Sequence, residues 1–448
     1  MNKRLLKLLV AGLLGLPGWA GAMDVVEVYQ KALLNDPQYR EAVNTYLADR
    51  EAKPQGVAGL LPKVELRAAL DRVSQEKEID SQSTSSEVDF TRKDYDVRLT
   101  QPLFDAEKLA LYDRGKRKAL QAELTLETAR QDLRLRVVKA FFDALYAEDT
   151  LNTYRAQQKA TYDFMDQARK SFKIGTVTAS DVYDAQARYE LVSAKVLQAE
   201  VDLEVQRKAL WVLAGEPVDT LSPLRKSIKL QPPVPGELQG WLDQAARSNL
   251  DVQVQSYEVD IASAEVDYNK AGHYPKLEFT ASLDLNDQSA TMSSFSEEGP
   301  GQNTNESYVG LQATVPLFEG GYVMSRVREA KYAMLASSDK LDAVRKDSVE
   351  SARESFINTT VGARKMDVFR AAVSSSRDSL RASKLGYGVG VRSAVDVLNA
   401  QEQLSQALRE QAKNFYDTLS YSLKLKAAVG ALRDEDLMQL RGYTKHAH

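Results

Sequence analysis

The sequence contains no cysteine, so it can form neither disulfides nor thiolate metal sites. Among its 448 residues are three histidines, and because His446 and His448 lie at the C-terminal end, His273 is the only internal imidazole. This scarcity argues against zinc binding and histidine-based catalysis. No convergent set of nucleophile, acid and base is visible either, so we predict no catalytic residue, no metal and no cofactor. The formal net charge of −4 gives no basic excess that would indicate nucleic-acid binding.

Long apolar runs are also missing. The chain starts with basic residues, an apolar run at residues 8–16 that is too short to span a bilayer, and a small-residue cleavage site at residues 20–22. We therefore predict that residues 1–22 are a secretory signal peptide. No cysteine follows the cleavage site, which excludes a lipid anchor, and no later stretch has the roughly 18 apolar residues of a membrane-spanning helix. The exported protein is then soluble, peripheral or a β-barrel.

Two stretches of the sequence resemble each other, residues 172–186 and residues 387–401. A shift of 215 positions (390 − 175) places Gly175 on Gly390, and it also aligns the Asp-Val pair that begins six residues after each glycine. A glycine just past a helix is the usual C′ residue, because only glycine adopts a positive φ angle without strain. Each stretch is therefore predicted to contain the turn between two helices.

A helix N-cap signal follows each turn. Thr178 and Ser393 are N-cap residue types, and an aspartate lies three residues after each of them, Asp181 and Asp396 respectively. This spacing predicts a capping box, in which the two side chains satisfy each other's backbone N–H groups.

Helical patterns of unusual length lead into both turns. Residues 106–171 contain no proline and one glycine, and apolar residues recur there in a heptad-like seam. At 1.5 Å per residue such a helix would reach about 100 Å. The second long helix is predicted at about residues 322–385, and the return helices at residues 178–213 and 393–429.

Four short segments alternate apolar and polar residues and are predicted to be β-strands with one apolar and one polar face. They are residues 63–71, 94–101, 277–285 and 309–315. The polar stretches at residues 74–93 and 287–305 show no periodicity and are predicted to be loops. Pro102-Leu103-Phe104 ends the second strand, and Pro316-Leu317-Phe318 repeats this ending 214 positions later (316 − 102).

The chain thus repeats one plan: helix, β-hairpin, very long helix, tip, helix. Five prolines between residues 215 and 236 indicate an extended linker between the repeats. The predicted organisation is a signal peptide (1–22), a first repeat (23–215) with hairpin 63–101 and first tip 172–181, an equatorial linker (216–236), a second repeat (237–431) with hairpin 276–315 and second tip 387–396, and a polar C-terminal tail (432–448).

Four strands cannot close a barrel, and an open edge in lipid would leave backbone groups unpaired. Single-chain barrels start at about eight strands, so several copies would have to contribute. Two copies would give a lumen filled by side chains, and three would give room for a conduit. The same strands and heptads also fit a soluble periplasmic coiled-coil scaffold or chaperone, and the residue pattern alone leaves this alternative open.

The two tips with Gly-x-x-x-x-x-Asp-Val, the Pro-Leu-Phe strand ends and the duplication together resemble the TolC family of outer-membrane efflux and secretion channels, over essentially the whole mature chain. The resemblance implies a homotrimer. Its twelve-stranded outer-membrane β-barrel, four strands per chain, would continue as a long periplasmic α-helical barrel. It implies passive export without catalysis, from an inner-membrane ABC or RND-type transporter through a periplasmic adaptor. The absent lipidation cysteine favours the type I secretion branch, and the sequence leaves open whether the cargo is a protein or a small molecule.

The resemblance further implies that the tips form an iris-like gate at the periplasmic mouth. Asp181 would be tied to Tyr387 and Arg392, while Asp396 and Asn399 would face the pore axis. Asn399 stands where the family's type member has an aspartate, so one carboxylate ring is expected instead of two, with weaker cation block. Asp181 could instead serve only its capping box, and Tyr387 could serve only helix-end packing.

The backbone turns of both tips match the turns on which the family's adaptor docks. These residues are Ile174, Gly175, Thr176, Val389, Gly390 and Val391. The partners implied by the resemblance are two further copies of the chain, the adaptor, the transporter and outer-membrane lipid, with no nucleic acid.

Overall fold

The computed structural model describes residues 22–79, 84–225, 228–289, 292–293 and 301–444, so nearly all of the predicted signal peptide and the last four residues of the predicted tail lie outside the described residues. The helices are α1 (Val25–Asn35), α2 (Pro37–Arg50), α3 (Ala52–Ala58), α4 (Ala106–Lys173), α5 (Ala179–Ala214), α6 (Leu238–Ser248), α7 (Leu250–Ala271), α8 (Tyr322–Gly388), α9 (Ala394–Ala428) and α10 (Asp434–Gly442). The strands are β1 (Lys63–Ile79), β2 (Thr84–Phe104), β3 (Lys276–Gln288), β4 (Met292–Ser293) and β5 (Gln302–Thr314). The chain divides into a helical unit (Met1–Val43, Leu126–Val252 and Arg345–His448) and a strand unit (Asn44–Thr125 and Gln253–Val344).

The strand unit contains one antiparallel sheet in the order β1-β2-β3-β5, with the two-residue β4 beside β2. Lys63 lies opposite Thr100 in the first hairpin, and Lys276 lies opposite Thr314 in the second. Between the hairpins, Thr100 lies opposite Thr280. Strands β1 and β5 are therefore the two edges of the sheet.

The strands are longer than the side-chain alternation predicts. The loop predicted at residues 74–93 is wrong for most of its length, because β1 continues to Ile79 and β2 already begins at Thr84. The loop predicted at residues 287–305 is interrupted by β4 and shortened by β5, which begins at Gln302. These segments are rich in serine, threonine and charged residues, so they show no alternation of apolar and polar residues from which a strand could be predicted. They still form strands, because the hydrogen bonds of a sheet join backbone groups and do not depend on the side chains.

Alternation gives the sheet one apolar and one polar face, as predicted. On the apolar face Leu66 lies opposite Val97, and Val97 lies opposite Leu283 on its other side. On the polar face Arg67 lies opposite Asp96. Residues directly opposite each other share a face of the sheet, so each face has one character across the strands.

The helical unit is held together by the buried faces of its long helices. Leu133 and Val137, from the predicted seam of α4, are fully buried. The ring of Phe142 on α4 lies 6.3 Å from that of Phe141 and 5.7 Å from that of Tyr416 on α9. Among the described residues, none of the helices is both long enough and apolar enough to cross a bilayer.

The duplication recurs at the end of each return helix. Asn35 donates from Nδ2 to the carbonyl oxygen of Ala214, the last residue of α5, at 2.7 Å. Asn249 makes the equivalent bond to Ala428, the last residue of α9, at 3.0 Å. The final carbonyl groups of a helix have no partner within it, and in both repeats an asparagine from a distant part of the sequence satisfies one of them.

The C-terminal segment is not the polar tail that the sequence predicts for residues 432–448. Its residues 434–442 form α10, which buries Leu437 and Leu440. Asp434 on this helix accepts a hydrogen bond from Nε of the buried Arg134 on α4 at 2.7 Å. Charged and other polar residues make up most of the segment, so its two apolar anchors give no periodic signal.

Candidate functional site: the two helix tips

The backbone of both tips follows the prediction. Gly175 and Gly390 have φ angles of +77° and +79°. The N–H of Thr176 donates to the carbonyl oxygen of Ser171 at 3.0 Å, and the N–H of Val391 makes the equivalent bond at 2.9 Å. This six-residue closure is the Schellman motif of helix C-termini. A Cβ atom at either glycine would meet nothing within 4 Å, so the positive φ angle alone requires glycine here.

Both predicted capping boxes are confirmed. The N–H of Thr178 donates to Oδ2 of Asp181 at 2.9 Å, and the N–H of Asp181 returns a bond to the Thr178 hydroxyl at 3.3 Å. Ser393 and Asp396 make the same pair of bonds at 2.9 and 3.1 Å. The backbone N–H and then the hydroxyl of Ser393 lower the pKa of the Asp396 carboxyl, because both bonds favour its charged form.

Tyr387 packs against the apolar cluster above the second tip, whose members include Leu380 and Val397. Its ring lies 5.0 Å from that of Phe164 on α4. Burial raises the pKa of Tyr387, and the nearby charge of Asp181 raises it further. The buried Tyr387 hydroxyl has no hydrogen-bond partner among the described residues. The structure thus places this hydroxyl within electrostatic reach of the first tip.

Arg392 lies close to its own helix. Its Nη1 is 3.9 Å from Oδ1 of Asp396, and both side chains are largely exposed. A Cβ atom on Gly386 would approach Cγ of Arg392 to 2.6 Å, so the arginine stem lies against that glycine. Within one copy, the described ion pair of Arg392 is therefore with Asp396, and its contact with Asp181 stays a prediction.

Asn399 lies one turn beyond Asp396 and bonds to the neighbouring return helix. Nη2 of Arg188 on α5 donates to Oδ1 of Asn399 at 3.0 Å in an exposed hydrogen bond. No local sequence pattern identifies Arg188 as a site residue, because its partner lies 211 positions away.

A largely buried group of polar residues above the tips is likewise not predicted from the sequence. It consists of Gln157, Lys195, Glu402 and Arg409, and we call it the Glu402 cluster. Gln157 is 1% exposed and donates from Nε2 to Oε2 of Glu402 at 2.6 Å. Lys195 donates from Nζ to the other carboxylate oxygen at 3.0 Å. The Arg409 guanidinium lies over the Tyr154 ring, 4.4 Å from its centroid. One carboxylate on α9 is thus bonded to both α4 and α5.

Opposing effects act on the Glu402 carboxyl. Burial would raise its pKa, but the hydrogen bonds from Gln157 and Lys195, with the charges of Lys195 and Arg409, lower it overall. The sequence carries one signal for this site: Glu402 is four residues after Leu398, so the two lie on the same face of α9. Leu398 is buried in the structure. A charged residue on the buried stripe of a helix normally has a partner.

The outermost residues of the tips are apolar and exposed. Ile174, Val389 and Val391 are each 76% exposed. Thr176 lies beside them and donates from its hydroxyl to the carbonyl oxygen of Ser171 at 3.0 Å. The predicted docking residues therefore form two small apolar turns on glycine-closed backbones.

Comparisons with known proteins agree on one family. The profile of the outer membrane efflux protein family matches residues 28–216 and 241–431, one segment for each repeat. The chain is 30% identical to the outer membrane protein TolC of Escherichia coli K12 over 451 aligned residues, covering 98% of this chain and 88% of that protein. It is also 30% identical to the alkaline protease secretion protein AprF of Pseudomonas aeruginosa, covering 93% of this chain and 86% of that protein.

The fold matches solved structures as well. The crystal structure of the outer membrane protein VceC from Vibrio cholerae superposes with a TM-score of 0.74 at 17% identity, covering 91% of this chain and 96% of that one. At this identity the likeness establishes the fold alone.

Proposed function

Because this chain belongs to the outer membrane efflux protein family, we propose that it works as a homotrimer that receives cargo from an inner-membrane transporter through a periplasmic adaptor. The chain is an outer-membrane channel that exports substrates, and the family consists of channel proteins. The predicted resemblance, export function and outer-membrane localisation are thereby confirmed. The alternative of a soluble coiled-coil scaffold is not supported.

The observation that most strongly supports a homotrimer is that the sheet has two open edges. In the described sheet, β1 pairs only with β2, and β5 pairs only with β3. The sheet's apolar face indicates lipid, where unpaired backbone groups at an edge cost several kcal/mol each. Pairing β5 of one copy with β1 of the next removes both edges, and three copies reach the twelve strands that enclose a conduit.

The helical unit gives an independent argument for neighbouring copies. Four apolar residues of α5 are 57–64% exposed along one stripe: Leu197, Val201, Val205 and Val212. Their equivalents 215 positions later on α9 are Ala412, Tyr416, Ser420 and Ala427. Ala412, Tyr416 and Ala427 are at most 8% exposed. The same helix face is thus buried in the second repeat and exposed in the first. A second copy of the chain could cover the exposed face of α5.

The tips are proposed to be the gate of this channel. Asp181, Tyr387, Arg392, Asp396 and Asn399 lie on or just above two turns that local chemistry closes. An Asp–Arg pair at a solvated tip contributes about 0–1 kcal/mol, so three such pairs hold a closed state that a docked partner can open. Asp181 is proposed to contact Tyr387 and Arg392 in the closed channel. The charge of Asp181 already acts on Tyr387, whose hydroxyl has no hydrogen-bond partner among the described residues of one copy.

The adaptor is proposed to dock on the exposed apolar turns. Ile174, Val389 and Val391 offer apolar area at the end of the helices, where a partner can reach it. AprF is named for secretion of an alkaline protease, which favours a secreted protein as cargo for the present channel and a type I exporter as its transporter. An efflux pump with a small-molecule cargo would use the same docking turns.

Single-channel recording in planar bilayers tests the gate. Arg392→Ser and Tyr387→Phe should each raise the conductance, because each removes one group that is proposed to bind Asp181 in the closed channel. Arg381→Ser is the matched control: Arg381 forms an exposed ion pair with Asp378 at 3.4 Å on the same helix and should leave the conductance unchanged. Unchanged conductance in both gate variants would contradict the assignment of these residues.

A further inference from the structure

The two hairpins have the same register at equivalent positions. Lys63 corresponds to Lys276, a shift of 213 (276 − 63), and Thr100 corresponds to Thr314, a shift of 214 (314 − 100). Lys63 lies opposite Thr100, and Lys276 lies opposite Thr314. The agreement continues along the strands up to the ends of the shorter second hairpin. The duplication is therefore preserved at the level of individual residue pairs, beyond the order of elements.

The middle of the sheet provides a template for a pairing that one copy cannot make. Strand β2 of the first repeat pairs with β3 of the second, and Thr100 lies opposite Thr280. The equivalent of β2 is β5, and the equivalent of β3 is β1. Each partner has an equivalent in the other repeat: Thr314 for Thr100 (100 + 214) and Arg67 for Thr280 (280 − 213).

We infer that β5 of one copy pairs antiparallel with β1 of a second copy in the register that places Thr314 opposite Arg67. The inference rests on the homotrimer proposed above and adds the residue pairs of its interface. In this register Ala313 faces Ala68. The adjacent pair on the polar face, Gln312 and Ala69, is equivalent to Arg98 and Ser282 within one copy.

Exposure supports this register on the apolar face. Within the sheet, Val97 lies opposite Leu283, and these side chains are 41% and 46% exposed. Their equivalents at the two edges are Leu311 and Leu70, which are 65% and 70% exposed. The inferred register places Leu311 opposite Leu70, so that each covers the other as Val97 and Leu283 do.

The strand ends agree with the same register. Phe104 lies opposite Leu277 after an irregularity at the end of β2 and is 43% exposed. Its equivalent Phe318 is 88% exposed. The equivalent of Leu277 is Val64, which is 64% exposed on the opposite edge. The second copy therefore brings Val64 to the phenylalanine that no strand covers within one chain.

Slipped registers fit less well. A slip by one residue would place apolar side chains of β5 opposite polar ones of β1 and mix the two faces of the sheet. A slip by two residues keeps the faces but places Leu311 opposite Ala68 or Arg72. In either slipped register, Leu311 loses the large apolar partner that Val97 has in Leu283 within one copy.

Disulfide trapping in outer membranes tests the register, and the cysteine-free chain gives no background. Ala313→Cys with Ala68→Cys, and Gln312→Cys with Ala69→Cys, are the two predicted pairs. Adjacent pairs alternate between the closer and wider spacings of an antiparallel ladder, so one of the two has the shorter Cα separation. The two edges of one copy are about 14 Å apart across the sheet, beyond disulfide reach, so any link must join two copies.

Mild oxidation should convert at least one predicted pair to covalent dimers and trimers that thiol reduces. The slipped pairs, Ala313→Cys with Leu66→Cys and Ala313→Cys with Leu70→Cys, should link about tenfold less, because their Cα atoms lie farther apart. Stronger linking of a slipped pair would overturn the register while leaving the homotrimer. Trimers by gel filtration with no link at any pair would overturn the strand pairing, whereas monomers would overturn the proposed function itself.

Discussion

At the scale of single residues, Glu402 shows how a polar contact can fix the arrangement of helices. Its two carboxylate oxygens accept hydrogen bonds from Gln157 on α4 and Lys195 on α5. These two residues lie on the two sides of the first tip in sequence, and Glu402 follows the second tip. The Glu402 cluster therefore links the two tip hairpins through directional hydrogen bonds.

We expect Glu402→Gln to destabilise the protein by about 1–3 kcal/mol, because it weakens bonds between a charged carboxylate and partly buried donors. Glu200→Gln is the matched control: Glu200 also joins α4 to α5, through Arg155 at 2.7 Å, but both side chains are exposed. Its loss should cost about 0–1 kcal/mol. Apparent melting temperatures in one detergent give the comparison, and equal shifts for the two variants would count against the cluster.

The same variant has a predictable pH dependence. Since the folded pKa of Glu402 is lowered, its charge contributes stability that is present above the unfolded pKa and is lost as pH falls through the folded value. The difference in stability between wild type and Glu402→Gln should therefore be constant at neutral pH and shrink below about pH 4. A difference that persisted at low pH would show that packing, and not charge, is what the substitution removes.

Sequence alone predicted the residues whose role is local. The capping boxes at Thr178 and Ser393 depend on a partner three residues away, and both are present. Arg188 and Gln157 were missed, because their partners lie more than 200 positions away and only the fold brings them together. The contacts of Asp181 with Tyr387 and Arg392 stay predictions, because in one copy the described partner of Asp181 is Thr178 and that of Arg392 is Asp396.

At the scale of elements, glycines that end helices differ in what surrounds them. Gly175 and Gly215 have nearly the same positive φ angle, +77° and +79°. A Cβ atom on Gly175 would meet open space, whereas one on Gly215 would lie 2.6 Å from Cγ of Asn35. Asn35 is the residue that caps the last carbonyl of α5. Alanine would strain the backbone at both positions, but only at position 215 would its Cβ atom collide with Asn35.

Gly215→Ala should thus be the more damaging of two otherwise similar substitutions. Both variants pay about 1–2 kcal/mol for a left-handed alanine. Gly215→Ala should lose roughly 1 kcal/mol more, because Asn35 must move and its hydrogen bond weakens. Thermal unfolding of the two alanine variants in parallel measures the difference. If Gly175→Ala proved equally or more destabilising, the capping role of Asn35 would be wrong.

Long helices were the most predictable elements, and the strands were the least. The first long helix was expected at residues 106–171 and is found at Ala106–Lys173, since proline-free heptads leave no competing structure. The strands were predicted too short, because their outer halves are polar on both faces. The last helix, α10, was missed because a short segment with few apolar residues has no detectable period.

At the scale of the whole molecule, duplication explains what one copy leaves incomplete. Each repeat supplies one hairpin and one return helix. Within one copy, the first hairpin pairs with the second along one edge only, and one face of α5 stays exposed. The α5 stripe around Val201 and the edge strands β1 and β5 are open where their equivalents are covered. The repeat plan could be predicted from sequence. The pairing register could not, because alternation with a period of two permits slips by two residues.

The most direct test of this account is the mass of the protein extracted from outer membranes in mild detergent, measured by light scattering during gel filtration. Copies that complete one another's sheets and helix faces should run as a stable particle with three times the mass of the mature chain. A monomer that retains its secondary structure would contradict the shared conduit, because a single four-strand sheet cannot close around a lumen.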